Sequence, residues 1–194
     1  MSNKNNFLKR IVIVFSTVIV LVVIGVYIYQ NKVRENAQEL PDIDRIAKVL
    51  STTRKTDIFV RGGVVDFNNK VSSTKVDEIT TSKINGDNDY KVIIVNDLND
   101  EVELSENEIN LLKELISKNN YMLIYLGQKY STTWDDTYYG VANVEGNLCY
   151  IYYSWDGAPT RNIGAWNETD QEVLSKYPLS LGETLLYSIE EYLQ

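Results

Sequence analysis

The longest run of apolar positions lies near the start of the chain. Residues 11–29 read IVIVFSTVIVLVVIGVYIY and contain no charged side chain. A helix of this length spans roughly 28 Å, close to the hydrocarbon thickness of a bilayer. The pattern predicts a transmembrane anchor at residues 11–30, preceded by a cytoplasmic tail at 1–10 and followed by a polar linker at 31–40.

Basic side chains on either side of this run indicate its orientation. Lys4, Lys9 and Arg10 precede it, and Lys32 and Arg34 follow it. The small excess before the run favours a cytoplasmic N-terminus, and hence a single-pass protein of the cell membrane with an extracytoplasmic C-terminal domain. A cleaved signal peptide is the alternative. Against it, bulky tyrosines stand where a cleavage site needs small residues.

A strand, a helix and a second strand are predicted within residues 90–127. Residues 92–95 are continuously apolar, which is typical of a strand buried on both faces. Ser105 and Glu108 form the S-x-x-E pattern of a helix N-terminus, and residues 122–126 are again apolar. Such units place parallel strands on either side of a right-handed crossover. The predicted fold class is therefore α/β, with an N-terminal transmembrane helix followed by one soluble three-layer domain with a mostly parallel sheet.

Weaker patterns complete that domain, which we assign to residues 41–194. A helix is predicted after Pro41. The segment DIFVRGGVVDF predicts a strand pair or a bent strand that turns at the two glycines, and a phosphate-binding loop is the alternative. One marginal strand is expected near Val76, and a strand at residues 148–154. Leucines at helical spacing predict a last helix over residues 180–193.

The segments YKVIIVNDL, LSENEINLLKELI and YMLIYLG together resemble part of class I glutamine-amidotransferase-like domains, including their non-catalytic relatives. The resemblance covers residues 90–127, about a fifth of the chain. Amidotransferases of that family use a cysteine on a strand-to-helix elbow together with a histidine. Here Cys149 lies in the predicted strand LCYIYY, and the chain has no histidine. The resemblance therefore implies a fold but not the activity.

Composition narrows the chemistry further. The absence of histidine removes Ser-His-Asp and Cys-His nucleophilic arrangements and the usual zinc sites. A single cysteine excludes an intrachain disulfide. The net charge of −8 argues against nucleic acid as a partner, because acidic proteins repel phosphate backbones. We predict no cofactor and no metal site.

Polar residues follow the two predicted parallel strands where ligands usually bind. In open α/β sheets that place is beyond the carboxyl ends of the strands. Asn96 and Asp97 follow the first strand, and Gln128 follows the second. They are candidate ligand-binding residues; the alternative is that Asn96 and Asp97 only turn the chain.

A second candidate surface lies in the aromatic region after residue 129. Trp134, Asp135, Asp136, Trp155 and Asp156 combine large rings with carboxylates there. Aromatic rings with polar neighbours serve as glycan platforms, protein interfaces or core packing. We take these five as candidate binding residues, with core packing of the rings as the alternative.

The sequence thus predicts a membrane-anchored extracytoplasmic binding or interaction module, non-catalytic, for an envelope glycan or a partner membrane protein. One alternative is a glycosidase-like envelope hydrolase, since glycosidases use two carboxyl groups about 5 to 10 Å apart and Asp135, Asp136 and Asp156 are available. The other is a structural subunit of a membrane complex.

Overall fold

A computed structural model describes residues 41–134, 139–140, 148–155, 158–163 and 179–193. The helices are α1 (Ile43–Lys48), which continues as a π-helical turn (Val49–Thr53), α2 (Glu106–Ile116) and α3 (Leu181–Tyr192). The strands are β1 (Thr56–Gly62), β2 (Thr74–Val76), β3 (Tyr90–Asn96), β4 (Tyr121–Leu126), β5 (Tyr139–Gly140), β6 (Cys149–Trp155) and β7 (Ala158–Ile163).

The seven described strands form one mixed sheet in the order β2-β1-β3-β4-β6-β7-β5. Strands β2, β1, β3 and β4 are parallel to one another, and β5 is parallel to β7, whereas β6 is antiparallel to both β4 and β7. The predicted mostly parallel sheet is therefore corrected to a mixed α/β arrangement. Gly127, at the end of β4, donates its N–H to the Leu148 carbonyl over 2.9 Å, so β6 begins at the edge where β4 ends. A chain that re-enters a sheet at the same edge pairs antiparallel.

Apolar side chains cover both faces of this sheet. On one face, Val92 and Ile94 of β3 belong to a buried cluster with side chains of α1 and α3. On the other, Ile93 and Val95 belong to a second buried cluster with side chains of α2. All four β3 residues are 0 % exposed. A continuous apolar run is what a strand buried on both faces requires.

The predicted transmembrane anchor, residues 11–30, lies outside the described residues. Within the described ranges, no helix is long and apolar enough to span a bilayer. The longest of them, α3, has 12 residues, whereas a spanning helix needs about 20. The predicted transmembrane helix, signal anchor and single-pass cell-membrane localisation are corrected accordingly, and the fold is assigned as a mixed α/β domain.

Several local predictions are confirmed. The strand-helix-strand unit forms as β3, α2 and β4, and a marginal strand forms at β2. The helix after Pro41 begins at Ile43, where the Asp42 side chain accepts from the Arg45 N–H. The glycine pair ends β1, although Val65 and Phe67 beyond it pack into the core rather than forming a strand. The predicted domain limits stay predictions.

Candidate ligand-binding cleft

The order of the parallel strands creates a crevice between β1 and β3. The chain passes from β1 to β2 on one side of it, and then to β3 and β4 on the other side. Where the connections that follow two neighbouring parallel strands run in opposite directions, a gap opens above the carboxyl ends of those two strands. In this sheet those ends are Gly62 and Asn96, which are direct partners in the β1–β3 register.

Gly62 is the point where the two strand ends come into contact. Its φ is +95°, and a Cβ there would overlap the Asn96 carbonyl oxygen and lie 2.5 Å from Val102 Cγ2. Only glycine tolerates both conditions without strain. The next residue, Gly63, donates its N–H to the Asn96 carbonyl over 2.9 Å. The sequence GG thus fixes how β1 ends beside β3.

Asn96 lies at this edge as predicted, but its polar atoms bind the chain itself. Asn96 is buried, with 7 % of its surface exposed. Its Nδ2 donates to the Val64 carbonyl over 3.2 Å, and its Oδ1 lies 3.4 Å from the Leu98 N–H. Asn96 therefore positions the loops on both sides of the cleft.

Asp97 has a similar role and is 1 % exposed. Its Oδ1 accepts the Val102 N–H over 2.7 Å, which closes the loop after β3. Its Oδ2 accepts the Tyr125 hydroxyl over 3.2 Å. Burial raises the pKa of that phenol, although the Tyr130 N–H it accepts lowers it, and Asp97 raises it further. The phenol consequently stays protonated at neutral pH and keeps donating to the carboxylate.

A cleft of about 500 Å³ opens above these residues. Besides Asn96 and Asp97, the side chains that line the cleft are four aliphatic groups, three charged groups and one amide: Val64, Leu98, Val102, Leu181, Arg61, Lys75, Glu101 and Asn99. Val64 is 77 % exposed and offers its aliphatic side chain to solvent. The cleft therefore combines apolar surface with separate charges.

Besides Asp97, three charged side chains line the cleft, and they differ in their partners. Arg61 donates to Glu108 Oε1 over 3.5 Å and to the Glu103 carbonyl over 3.3 Å. Lys75 and Glu101 are exposed, and neither makes an ion pair or side-chain hydrogen bond within the described part of the chain. One cation and one carboxylate are thus open to a ligand.

Gln128 and Trp134 do not reach this cleft. Gln128 is exposed, and its carbonyl accepts the Ser131 N–H and hydroxyl in a turn after β4. Trp134 is 0 % exposed and lies against Tyr125 and Tyr152, with ring centroids 6.1 and 5.3 Å away. The expectation of a surface platform at Trp134 is corrected, because its ring is enclosed by tyrosines of the core.

The other aromatic-region candidates fall outside the described residues. Asp135, Asp136 and Asp156 are not described, and neither is the side chain of Trp155. The backbone of Trp155 ends β6 and pairs with Ala158 of β7. The glycan surface predicted for these residues stays a prediction.

Sequence reasoning missed Arg61, Val64, Lys75 and Glu101. The glycine pair at residues 62–63 was a usable signal, because a strand that ends in glycines permits close approach of another chain segment. Lys75 lies at the cleft because β2 pairs with β1, and no local sequence pattern indicates that pairing.

No protein-family model, curated protein or solved structure matches this chain. The resemblance of residues 90–127 to glutamine-amidotransferase-like domains therefore stays a prediction.

Proposed function

We propose that this domain is a non-catalytic binding module whose ligand occupies the cleft between the carboxyl ends of β1 and β3. The observation that carries the proposal is the cleft's place in the sheet. Its volume of about 500 Å³ is within the range of small-molecule and peptide sites. It also lies where the strand order reverses, which is where α/β sheets bind their ligands.

The side chains of the cleft favour binding over catalysis. Both carboxylate oxygens of Asp97 already accept hydrogen bonds, so this buried acid holds the loop after β3. The polar groups that remain open to solvent are Lys75 on β2 and Asn99 and Glu101 on the loop after β3. Val64, which follows the glycine pair, adds exposed aliphatic surface. Separate polar groups beside aliphatic surface are typical of recognition sites.

The same side chains favour a peptide-like ligand over a glycan. Glycan sites commonly use exposed aromatic rings for stacking. The described lining of this cleft contains aliphatic side chains and no aromatic ring. Aliphatic surface beside single charges suits an amide backbone with apolar side chains.

The test is an NMR titration of the full chain with a panel of tripeptides and oligosaccharides. We expect amide shifts at Gly62, Gly63 and Asn99 with panel peptides. Asn99→Trp, which places a large ring in the cleft, should abolish them. Asn110→Trp is the matched control, since Asn110 is an exposed α2 residue that does not line the cleft. The proposal is wrong if no panel member shifts these amides, or if Asn99→Trp leaves the shifts unchanged.

A further inference from the structure

Two unpaired charges of opposite sign stand on opposite sides of the cleft. Lys75 belongs to β2, on one side of β1. Glu101 belongs to the loop that follows β3, on the other side of β1. Both side chains are exposed and free of ion pairs within the described ranges. A ligand that spans the cleft therefore meets a cation at one end and a carboxylate at the other.

The distance across the cleft sets the size of such a ligand. Lys75 lies on β2, and the loop that carries Glu101 leaves the end of β3, a strand two positions from β2 with β1 between them. Neighbouring strands are about 4.8 Å apart, so two positions correspond to roughly 10 Å. An extended chain covers at most about 3.3 to 3.6 Å per residue, so three residues reach this length.

Aliphatic side chains line the same cleft as the two charges. Val64 follows the glycine pair and is largely exposed, while Leu98 and Leu181 are partly buried against the core. They offer apolar surface to the middle of a ligand. Burying one aliphatic side chain there stabilises a complex through area removed from water, whereas exposed ion pairs contribute less.

We infer that the cleft binds a short peptide of about three residues with both termini free. The peptide's α-carboxylate pairs with Lys75, its α-ammonium pairs with Glu101, and its central aliphatic side chain packs on Val64, Leu98 and Leu181. This inference rests on the proposed function. Such a peptide carries no net charge, so the acidic chain, at −8 overall, does not repel it.

The experiment measures Kd for Ala-Leu-Ala and for its two singly blocked forms, N-acetylated and C-amidated, by NMR titration of the full chain. Each block removes one charge from the peptide and should weaken binding about threefold, as expected for an exposed ion pair. Glu101→Gln should weaken binding of the free peptide similarly and make N-acetylation harmless. Lys75→Gln should do the same for C-amidation.

Lys48→Gln is the matched control, because Lys48 is an exposed α1 residue that does not line the cleft. It should leave all three Kd values unchanged. The inference is overturned if the free tripeptide does not bind at millimolar concentration. It is also overturned if N-acetylation weakens binding as much in Glu101→Gln as in the wild type, or if C-amidation weakens it as much in Lys75→Gln as in the wild type. Amide shifts at the cleft with other panel members would then still support the proposed function, whereas silence of the cleft amides throughout the panel would overturn both.

Discussion

Helices α2 and α3 begin with the same four-residue pattern, and comparing them separates local from long-range effects. Both start with Ser-x-x-Glu: Ser105 with Glu108, and Ser180 with Glu183. In each, the serine hydroxyl accepts the glutamate N–H at 3.3 Å, and the glutamate side chain accepts the serine N–H at 2.8 to 2.9 Å. The capping geometry is thus the same at both helices.

The surroundings of the two glutamates differ. Glu108 is 4 % exposed and also accepts the Ile79 N–H over 3.0 Å and Arg61 Nε over 3.5 Å. It therefore joins the start of α2, the loop after β2 and the end of β1. Glu183 is half-buried, and its side chain accepts the Ser180 N–H of its own helix start. Asn68, from another segment, also contacts this side chain and donates to the Ser180 hydroxyl over 3.3 Å at the exposed surface.

This difference shows that a capping motif can also serve as a tertiary junction. A glutamate needs only one carboxylate oxygen for the capping box. At Glu108 the second oxygen, Oε1, bonds two other segments, one of which is the β1 end that lines the cleft. We expect the cleft to depend on Glu108 but not on Glu183.

The largest expected effect comes from truncating the two glutamates. Glu108→Ala leaves the Ile79 and Ser105 N–H groups without their partner and should lower the free energy of unfolding by roughly 3 kcal/mol. Glu183→Ala removes one capping bond and should cost about 1 kcal/mol. Urea denaturation of both variants measures the difference. Equal losses would show that the contacts to Ile79 and Arg61 contribute nothing.

Truncating the two serines should give smaller and nearly equal losses. Ser105→Ala and Ser180→Ala each remove the acceptor for one helix N–H, which costs about 1 kcal/mol. Because the caps have the same geometry, the two values should agree within the error of urea denaturation. A much larger loss for Ser105→Ala would mean that the serine, and not Glu108, carries the junction.

The smallest expected effect is the pH dependence of the stability that Glu108 contributes. Burial raises the pKa of Glu108, but the N–H groups of Ser105 and Ile79, the Ser105 hydroxyl and Arg61 together bring it below its ordinary value of 4.5. A carboxyl with a lowered folded pKa stabilises the fold above its unfolded pKa, and the contribution is lost as the pH falls through the folded value.

The difference in unfolding free energy between wild type and Glu108→Gln should therefore be largest at pH 7 and should decrease as the pH falls below 4.5. Urea denaturation at pH 7 and pH 3 measures it. The Glu183→Gln pair is the control, since the Ser180 N–H also lowers the pKa of Glu183 but at a more exposed site. If the difference in unfolding free energy between wild type and Glu108→Gln is the same at both pH values, the ionised Glu108 carboxylate does not stabilise the fold.

The sequence predicted features that depend on neighbouring residues. The capping serine at Ser105, the apolar run of β3 and the leucine spacing of α3 are local patterns, and all three elements formed as expected. Asn96 and Asp97 were placed at the correct edge because Asn96 ends β3 and Asp97 directly follows it.

Features that depend on distant residues were not predictable in the same way. A hydrophobic run such as LCYIYY indicates a strand but not its direction, so the antiparallel pairing of β6 was missed. A tryptophan among tyrosines has the same local pattern in a core as on a surface, and Trp134 proved to be in the core. Lys75 reaches the cleft only because β2 pairs with β1.

The enclosure of Trp134 gives the molecule an internal optical reporter. Its indole ring lies within 6.1 Å of Tyr125 on β4 and 5.3 Å of Tyr152 on β6, centroid to centroid. At such separations a tyrosine that absorbs light transfers its excitation to the indole. Tyr125 and Tyr152 therefore each contribute to Trp134 emission only while their own strand lies beside the indole, so this emission responds to the loss of either strand without any attached dye.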